Sequence, residues 1–352
     1  MMILRLIYII SLQKGKFLQK LYIIMKNYLF IISFILLFSC ENKNSDLKVL
    51  QGNAIGTTYS IKYIDTENDG FNLEIDSIIK AVNNSASTYI PTSNISKINK
   101  GDTTIVVDAI FEEVFKKSEK IYKETDGDFD PTVGILVNAW GFGPEAKIED
   151  LDSVKIKSLL KYVGFNKVSI ENKKVKKEYP EIYFDFNAIA KGYLVDLVGR
   201  NFEASNIENY MVEIGGEIRA RGVNQKGNAW TIAIENPNFD GSRTFATTIQ
   251  LHNESIATSG NYRKYRTTAD GKKYVHTINA KTGYANESNL LSASVISKSD
   301  CADVDGYATA LMAMGFEKSK EFLENHTELK AFLIYADENG DMQTYKSANF
   351  NN

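Results

Sequence analysis

The stretch "YMVEIGGEIRARG", residues 210–222, alternates apolar and other residues on both sides of a Gly-Gly pair. A period of two is the side-chain period of a β-strand. Gly215-Gly216 reads as a tight turn or a bulge. The pattern continues through "AWTIAIENP" and "TFATTIQL" to Leu251, and further strands are expected at 273–280, 290–297 and 329–336. Upstream, "NAIGTTYSIKYI" (53–64) reads as a strand containing a Gly-Thr-Thr turn, and short strands are expected at 167–170, 174–178 and 181–185. Helical periodicity falls at 72–86, 108–127, 152–164, about 188–204, 302–314 and 316–325. In the second of these, Phe111, Val114, Phe115, Ser118, Ile121 and Tyr122 form one stripe between an Asp108 cap and a Gly127 stop. Antiparallel runs interrupted by a few helices indicate an α+β fold, mostly antiparallel sheet with packed helices, not a doubly wound parallel sheet. Neither GxGxxG nor GxxxxGK[ST] occurs, so the usual dinucleotide and P-loop sites are not expected.

The amino-terminal region has a different character. Residues 1–39 carry Arg5, Lys14, Lys16, Lys20 and Lys26 and no acidic residue. From Met25, a Lys precedes an apolar run from Tyr28 to Phe38 and then Ser39-Cys40, the layout of a secretory signal peptide. The run is too short for a membrane span, which needs roughly 20 residues. Leu37-Phe38-Ser39-Cys40 is similar to a bacterial lipobox, with Phe38 in place of a small residue, which makes Cys40 the expected lipidation site. Residues 1–24 add a second apolar run ahead of a complete signal and read as a start-site misassignment. The expected organisation is therefore a signal peptide at 25–39, a polar tether at 40–48 and one folded domain at 49–352. Loss of residues 1–39, with five basic side chains, would move the formal net charge of 352 residues from −3 to −8. That argues against nucleic acid as a partner. The apolar fraction of 43%, with 19 Phe and 19 Tyr, suffices for a core. Cys301 is the other cysteine, so with Cys40 lipidated no disulfide supports the fold.

Four segments concentrate glycine, polar and aromatic residues: "GDFDPTVGILVNAWGFGP" (127–144), "FDFNAIAKGYLVD" (184–196), "VEIGGEIRARG" (212–222) and "IATSGNYRKYRTTADGKKYVHTINAKTG" (256–283). The first reads as a long apolar loop, ordered either by the core beneath it or by an aromatic ligand. In the second, Asp185 or Asn187 can cap a helix whose N-terminus, with Lys191 nearby, suits a phosphate. In the fourth, His276 sits in a strand, where a structural and a catalytic histidine look alike. A fifth stretch, "CADVDGYATALMAMG" (301–315), puts Asp305 and Thr309 on one face of an apolar helix. A buried carboxylate needs compensation, by a cap, an ion pair or a metal ion.

Taken in order, "GTTYSI", "SASTYIPTSNISKIN", "FDPTVGILVNAWGFGP", "DFNAIAKGYLVD", "YMVEIGGEIRARG", "IATSGNYR", "HTINAKTG" and "VDGYATAL" resemble the ApbE family of FAD:protein FMN transferases, from about Ile55 to Leu333. The resemblance implies a T-fold-like architecture and an enzyme that uses FAD as substrate with Mg2+. It moves FMN onto a threonine of an exported flavoprotein, similar to subunits of the Na+-translocating quinone reductase or Rnf complexes, and releases AMP. The resemblance also implies the site. Asp305, Thr309 and the backbone carbonyl of Ala188 would hold Mg2+. Ile55, Tyr89, Asp128, Phe129, Asp130, Lys191 and Ile278 would contact FAD, and His276 or Asp185 would serve as base or orienting group. The protein would be a membrane-anchored lipoprotein facing the periplasm. Several positions depart from the family pattern. Ile55 replaces Met, Ile135 replaces Pro, Asn279-Ala280 replaces Asp-Pro, and Val304 and Gly306-Tyr307 replace Ala and Ala-Leu. Asn279 removes a carboxylate near His276, and Gly306 costs about 1 kcal/mol of helix propensity relative to Ala. Two other readings fit the same residues: an FAD pyrophosphatase giving FMN and AMP, and a non-catalytic FAD-binding lipoprotein.

Overall fold

The computed structural model describes residue 26 and residues 46–65, 70–238, 242–260, 265–267, 273–275, 277–285 and 288–350. The strands are β1 Asp46–Ala54, β2 Thr57–Asp65, β3 Val168–Glu171, β4 Lys174–Lys177, β5 Tyr210–Ile214, β6 Glu217–Arg221, β7 Trp230–Glu235, β8 Phe245–Leu251, β9 Ser255–Gly260, β10 Tyr265–Thr267, β11 Lys273–Val275, β12 Leu290–Ser297, β13 Lys330–Ala336 and β14 Met342–Lys346. The helices are α1 Phe71–Ala86, α2 Asn94–Asn99, α3 Ala109–Glu124, α4 Gly134–Ala139, α5 Ser153–Leu160, α6 Ala190–Ala204, α7 Cys301–Met314 and α8 Phe316–Asn325.

Eight strands form one sheet in the order β1-β2-β5-β6-β9-β12-β13-β14, and every neighbouring pair is antiparallel. The expected α+β class is what the chain adopts. Gly215 and Gly216, at φ 64° and 104°, make a two-residue turn that pairs Ile214 with Glu217. Both angles are positive, as a type I′ hairpin turn requires, so the Gly-Gly pair is a turn and not a bulge. The segment 53–64 is likewise two strands. Ile55 and Gly56 turn between them at φ 42° and 79°. A β-branched residue in the left-handed region is strained, at a cost on the order of 1–3 kcal/mol.

The sheet is covered on both faces. Ile61, Tyr63, Val212, Ile214, Ala257, Ala293 and Val295 join the side chains of α6 and α7 in the main core. On the other face Met211, Ile218, Ala220, Ile256 and Ile296 meet Trp230, Ile234 and Leu251 of the β7–β8 ribbon. Strand β6 therefore sends Ile218 and Ala220 toward the ribbon, and Glu217 and Arg219 toward the helices.

Three expectations need correction. Residues 181–185 form no strand; Tyr183 makes a single parallel bridge to Val133. The loop expected at 127–144 contains α4, and Gly134 lies against Tyr183, where a Cβ would sit 2.7 Å from its carbonyl oxygen. Neither Asp185 nor Asn187 caps α6, whose N-cap is Ile189 without a side-chain hydrogen bond. Asp185 instead accepts from the Asn187 backbone N–H at 2.8 Å, which stabilises the turn ahead of the helix.

Candidate functional site

Helix α7 is rich in small residues, which lets neighbours approach its backbone closely near its start. Its own N-cap, Asp300, makes no side-chain capping bond. The opening N–H groups of Cys301 and Ala302 donate instead to the two carboxylate oxygens of Asp196, from α6, at 2.8 Å each. This is a helix cap supplied by a second helix, and it satisfies donors that would otherwise be orphaned. The two helices meet at Gly192, where a Cβ would lie 2.4 Å from the Cys301 carbonyl oxygen. Gly192→Ala should push the helices apart and destabilise the fold by about 1–3 kcal/mol. Urea denaturation would measure it, and an unchanged midpoint would show that the crossing is not tight.

Charged groups lock this crossing. Arg219 Nη1 lies 2.8 Å from both Asp196 Oδ1 and Asp300 Oδ1. Asp300 also receives Lys117 at 2.9 Å and Arg200 at 2.8 Å. Burial works to raise the Asp300 carboxyl, yet Lys117, Arg200 and Arg219 outweigh it and hold the group well below the usual carboxylate range. Asp196 behaves oppositely: burial, with Asp300 adding to it, pushes it up to about 6 against the pull of two N–H groups and Arg219.

One turn into α7, Asp305 is 1% exposed. Its Oδ2 accepts from the Gly192 N–H at 3.0 Å, and its Oδ1 lies 3.5 Å from Lys191 Nζ. The same ammonium is 2.9 Å from Glu217 Oε1, on β6. Burial raises the carboxyls of both Asp305 and Glu217, with Lys191 pulling each back. For Lys191, burial alone would lower the ammonium, but the two carboxylates leave it above its ordinary value. Thr309, half-buried on the next turn of α7, shares a hydrogen bond of 3.1 Å with Ser259 of β9. Asp305 thus has an ion-pair partner that its own helix does not reveal.

The cluster suits a further cation. Two buried carboxylates face one ammonium, and Glu217 Oε2 has no hydrogen-bond partner among the described residues. No three His, Cys, Asp or Glu side chains gather among those residues as a metal cluster. Hydroxyl, carbonyl and substrate oxygens would have to complete the coordination, which Mg2+ accepts readily. Glu217 was not among the residues expected from the sequence.

The other expected site residues are distributed as follows. Ala188 is half-buried in the turn that opens α6, three residues before Lys191. Tyr89 is 56% exposed, and both burial of its hydroxyl and the nearby Asp185 carboxylate raise its phenol. Asp128 is ion-paired with Lys318 and lies 3.2 Å from Lys281, which ties the 127–144 segment to α8 and to the segment after Thr277. Trp140 strengthens that tie by donating its indole N–H to the Gly283 carbonyl at 2.9 Å. Phe129 is buried in the main core, and Ile278 packs with Leu136, Val163 and Ala285. Ile55 occupies the β1–β2 turn, partly buried against the core. His276 and Cys40 lie outside the described residues.

Asp130 is buried and accepts from Thr132 N, Thr132 Oγ1 and Phe165 N at 2.8, 2.6 and 3.1 Å. Burial nevertheless pushes its carboxyl up to about 6, against an ordinary value of 3.8. An acid raised on folding binds its proton more tightly in the folded state, so its contribution to stability is present below pH 3.8 and lost by about pH 6. Relative to Asp130→Asn, the native protein should gain roughly 2–3 kcal/mol as pH falls from 7 to 4. Parallel pH profiles from urea denaturation of the two proteins would contradict this.

Comparison with known proteins places the whole arrangement. The ApbE family pattern matches residues 55–333. A Haemophilus influenzae protein named FAD:protein FMN transferase is 37% identical over 325 residues, spanning 89% of this chain and 93% of its own. A Vibrio cholerae protein of the same name is 36% identical over 333 residues, or 93% and 98% of the two chains. The solved flavin transferase ApbE from Vibrio cholerae superposes with a TM-score of 0.77 at 36% identity, covering 87% of this chain and 99% of that one. Pseudomonas stutzeri flavinyl transferase ApbE in its apo form gives 0.77 at 29% identity, covering 87% and 96%. With its sheet order, its α6–α7 crossing and a match over most of its length, the chain belongs to the ApbE family.

Proposed function

We propose that the protein is an FAD:protein FMN transferase, which transfers FMN from FAD to a threonine of an exported flavoprotein and releases AMP. The observation that carries this reading is the crossing of α6 and α7. It sets Lys191 beside the buried Asp305, with the Thr309 hydroxyl one turn on. Asp305, Thr309 and the Ala188 carbonyl would hold Mg2+, which when bound supplies charge neutralisation to the FAD pyrophosphate. Lys191 contributes positive charge near the phosphate or ribose, and Tyr89 offers an exposed ring for stacking. The acceptor threonine hydroxyl attacks the flavin-side phosphorus, and the AMP phosphate leaves in line. His276 takes the hydroxyl proton, with Asp185 as the alternative acceptor. The Cys40 motif supports a lipid-anchored protein exported to the periplasm, where such acceptors would be met.

The experiment is to incubate the protein with FAD, Mg2+ and a threonine-containing acceptor domain. Mass spectrometry should find an FMN adduct on the acceptor, with AMP released in equal amount. AMP release that is independent of acceptor would instead identify an FAD pyrophosphatase. FAD recovered intact after long incubation would identify a binding protein.

A further inference from the structure

We propose that Lys191 is a displaceable internal counter-ion for Asp305, and that Glu217 is the positioning residue that keeps Lys191 when a divalent cation takes its place on Asp305. The proposal deepens the metal reading above and rests on it. Lys191 Nζ already lies nearer Glu217 Oε1, at 2.9 Å, than Asp305 Oδ1, at 3.5 Å. The Lys191 side chain is 31% exposed while the two carboxylate side chains are 3% and 2% exposed. The Lys191 side chain is therefore less enclosed than either carboxylate, and its flexible stem makes it the member of the cluster that can shift. Asp305 Oδ2 is fixed by the Gly192 N–H, which leaves Oδ1 as the oxygen that Lys191 and an incoming ion would contest. Glu217 Oε2, buried and without a hydrogen-bond partner among the described residues, can take a second contact from the ammonium once it leaves Asp305. Without that receiving group the ion would have to expel an ammonium from its sole buried anion, and the cluster would carry no excess negative charge. The device also explains how a buried carboxylate survives before the ion arrives, since an unpaired charge there would be costly.

The test is Mg2+ alone, titrated calorimetrically into the protein without FAD, with thermal unfolding as a second readout. Glu217→Gln should bind Mg2+ about 10- to 100-fold more weakly, the usual effect of altering a group that orients a metal's neighbours. Lys191→Met should shift the other way: tighter Mg2+ binding, a lower melting temperature without the ion, and a larger rise in melting temperature when Mg2+ is added. In the Lys191→Met background the effect of Glu217→Gln should shrink, because no ammonium remains to be received. Glu217→Asp, which keeps the charge, should recover part of the affinity. Equal weakening by Glu217→Gln in both backgrounds, or looser binding by Lys191→Met, overturns the exchange. Asp305→Asn separates the two levels. If it abolishes Mg2+ binding while Glu217→Gln does not weaken it, the exchange alone is wrong. If Asp305→Asn binds like the native protein, the metal reading fails and the exchange with it.

Discussion

On the proposed Mg2+ assignment, Asp305→Asn should leave a folded protein whose transfer activity falls by about 1,000-fold or more, the scale on which a metal ligand contributes to charge stabilisation. The substitution keeps the shape of the side chain and an oxygen that can accept from the Gly192 N–H. Lys191 retains Glu217 as partner, so no unpaired ammonium is left behind. Loss of activity with an unchanged unfolding midpoint would assign Asp305 to the chemistry. Full activity in the variant would remove Asp305 from the metal site, whatever the stability.

Arg219→Met should destabilise the fold by about 3–5 kcal/mol, because it removes one partner of a buried charge cluster without removing the others. Arg219 reaches Asp196 and Asp300 at 2.8 Å and Glu203 at 3.0 Å. Asp300 would keep Lys117 and Arg200, but Asp196 would lose its cation while still capping α7. Adding Asp196→Asn should therefore restore part of the lost stability, a coupling that urea denaturation of the double variant would measure. Strictly additive losses would mean that Arg219 and Asp196 contribute independently.

The two residues that matter most on β6 show where sequence reasoning stops. The alternation in 210–222 was enough to place two strands, because period two is a property of the local backbone, but it left the Gly-Gly pair open between a turn and a bulge. Which face meets what was not legible. In "EIRAR" the polar positions look like the solvent side of a one-sided sheet, whereas the β7–β8 ribbon covers the apolar side and the helices cover Glu217 and Arg219. A charged residue on a strand buried on both faces could have been suspected only from the run of apolar strands around it. The Asp305–Lys191 pair was hidden for the same reason: its members lie 114 positions apart and meet only after α6 docks on α7. By contrast, Asp305 and Thr309 were readable because their spacing lies within one helix. The extended reading of 181–185 failed because alternation identifies a strand-like backbone without supplying a partner, and Tyr183 finds just a single bridge. The capping role expected of Asp185 failed because a turn two residues on competed for the same carboxylate.

The cap that Asp196 places on α7 has a kinetic meaning. The N–H groups of Cys301 and Ala302 find their acceptor more than a hundred residues earlier in the chain. The first turn of α7 gains this cap only when that long loop closes, so the capped form depends on a contact of high sequence separation. These two amides should then exchange with solvent deuterium as slowly as the most protected strands of the sheet, since opening them requires undocking a whole helix. The candidate site at the α6–α7 crossing would then assemble in the same cooperative step that docks the two helices, and a partly unfolded chain would hold no half-built version of it.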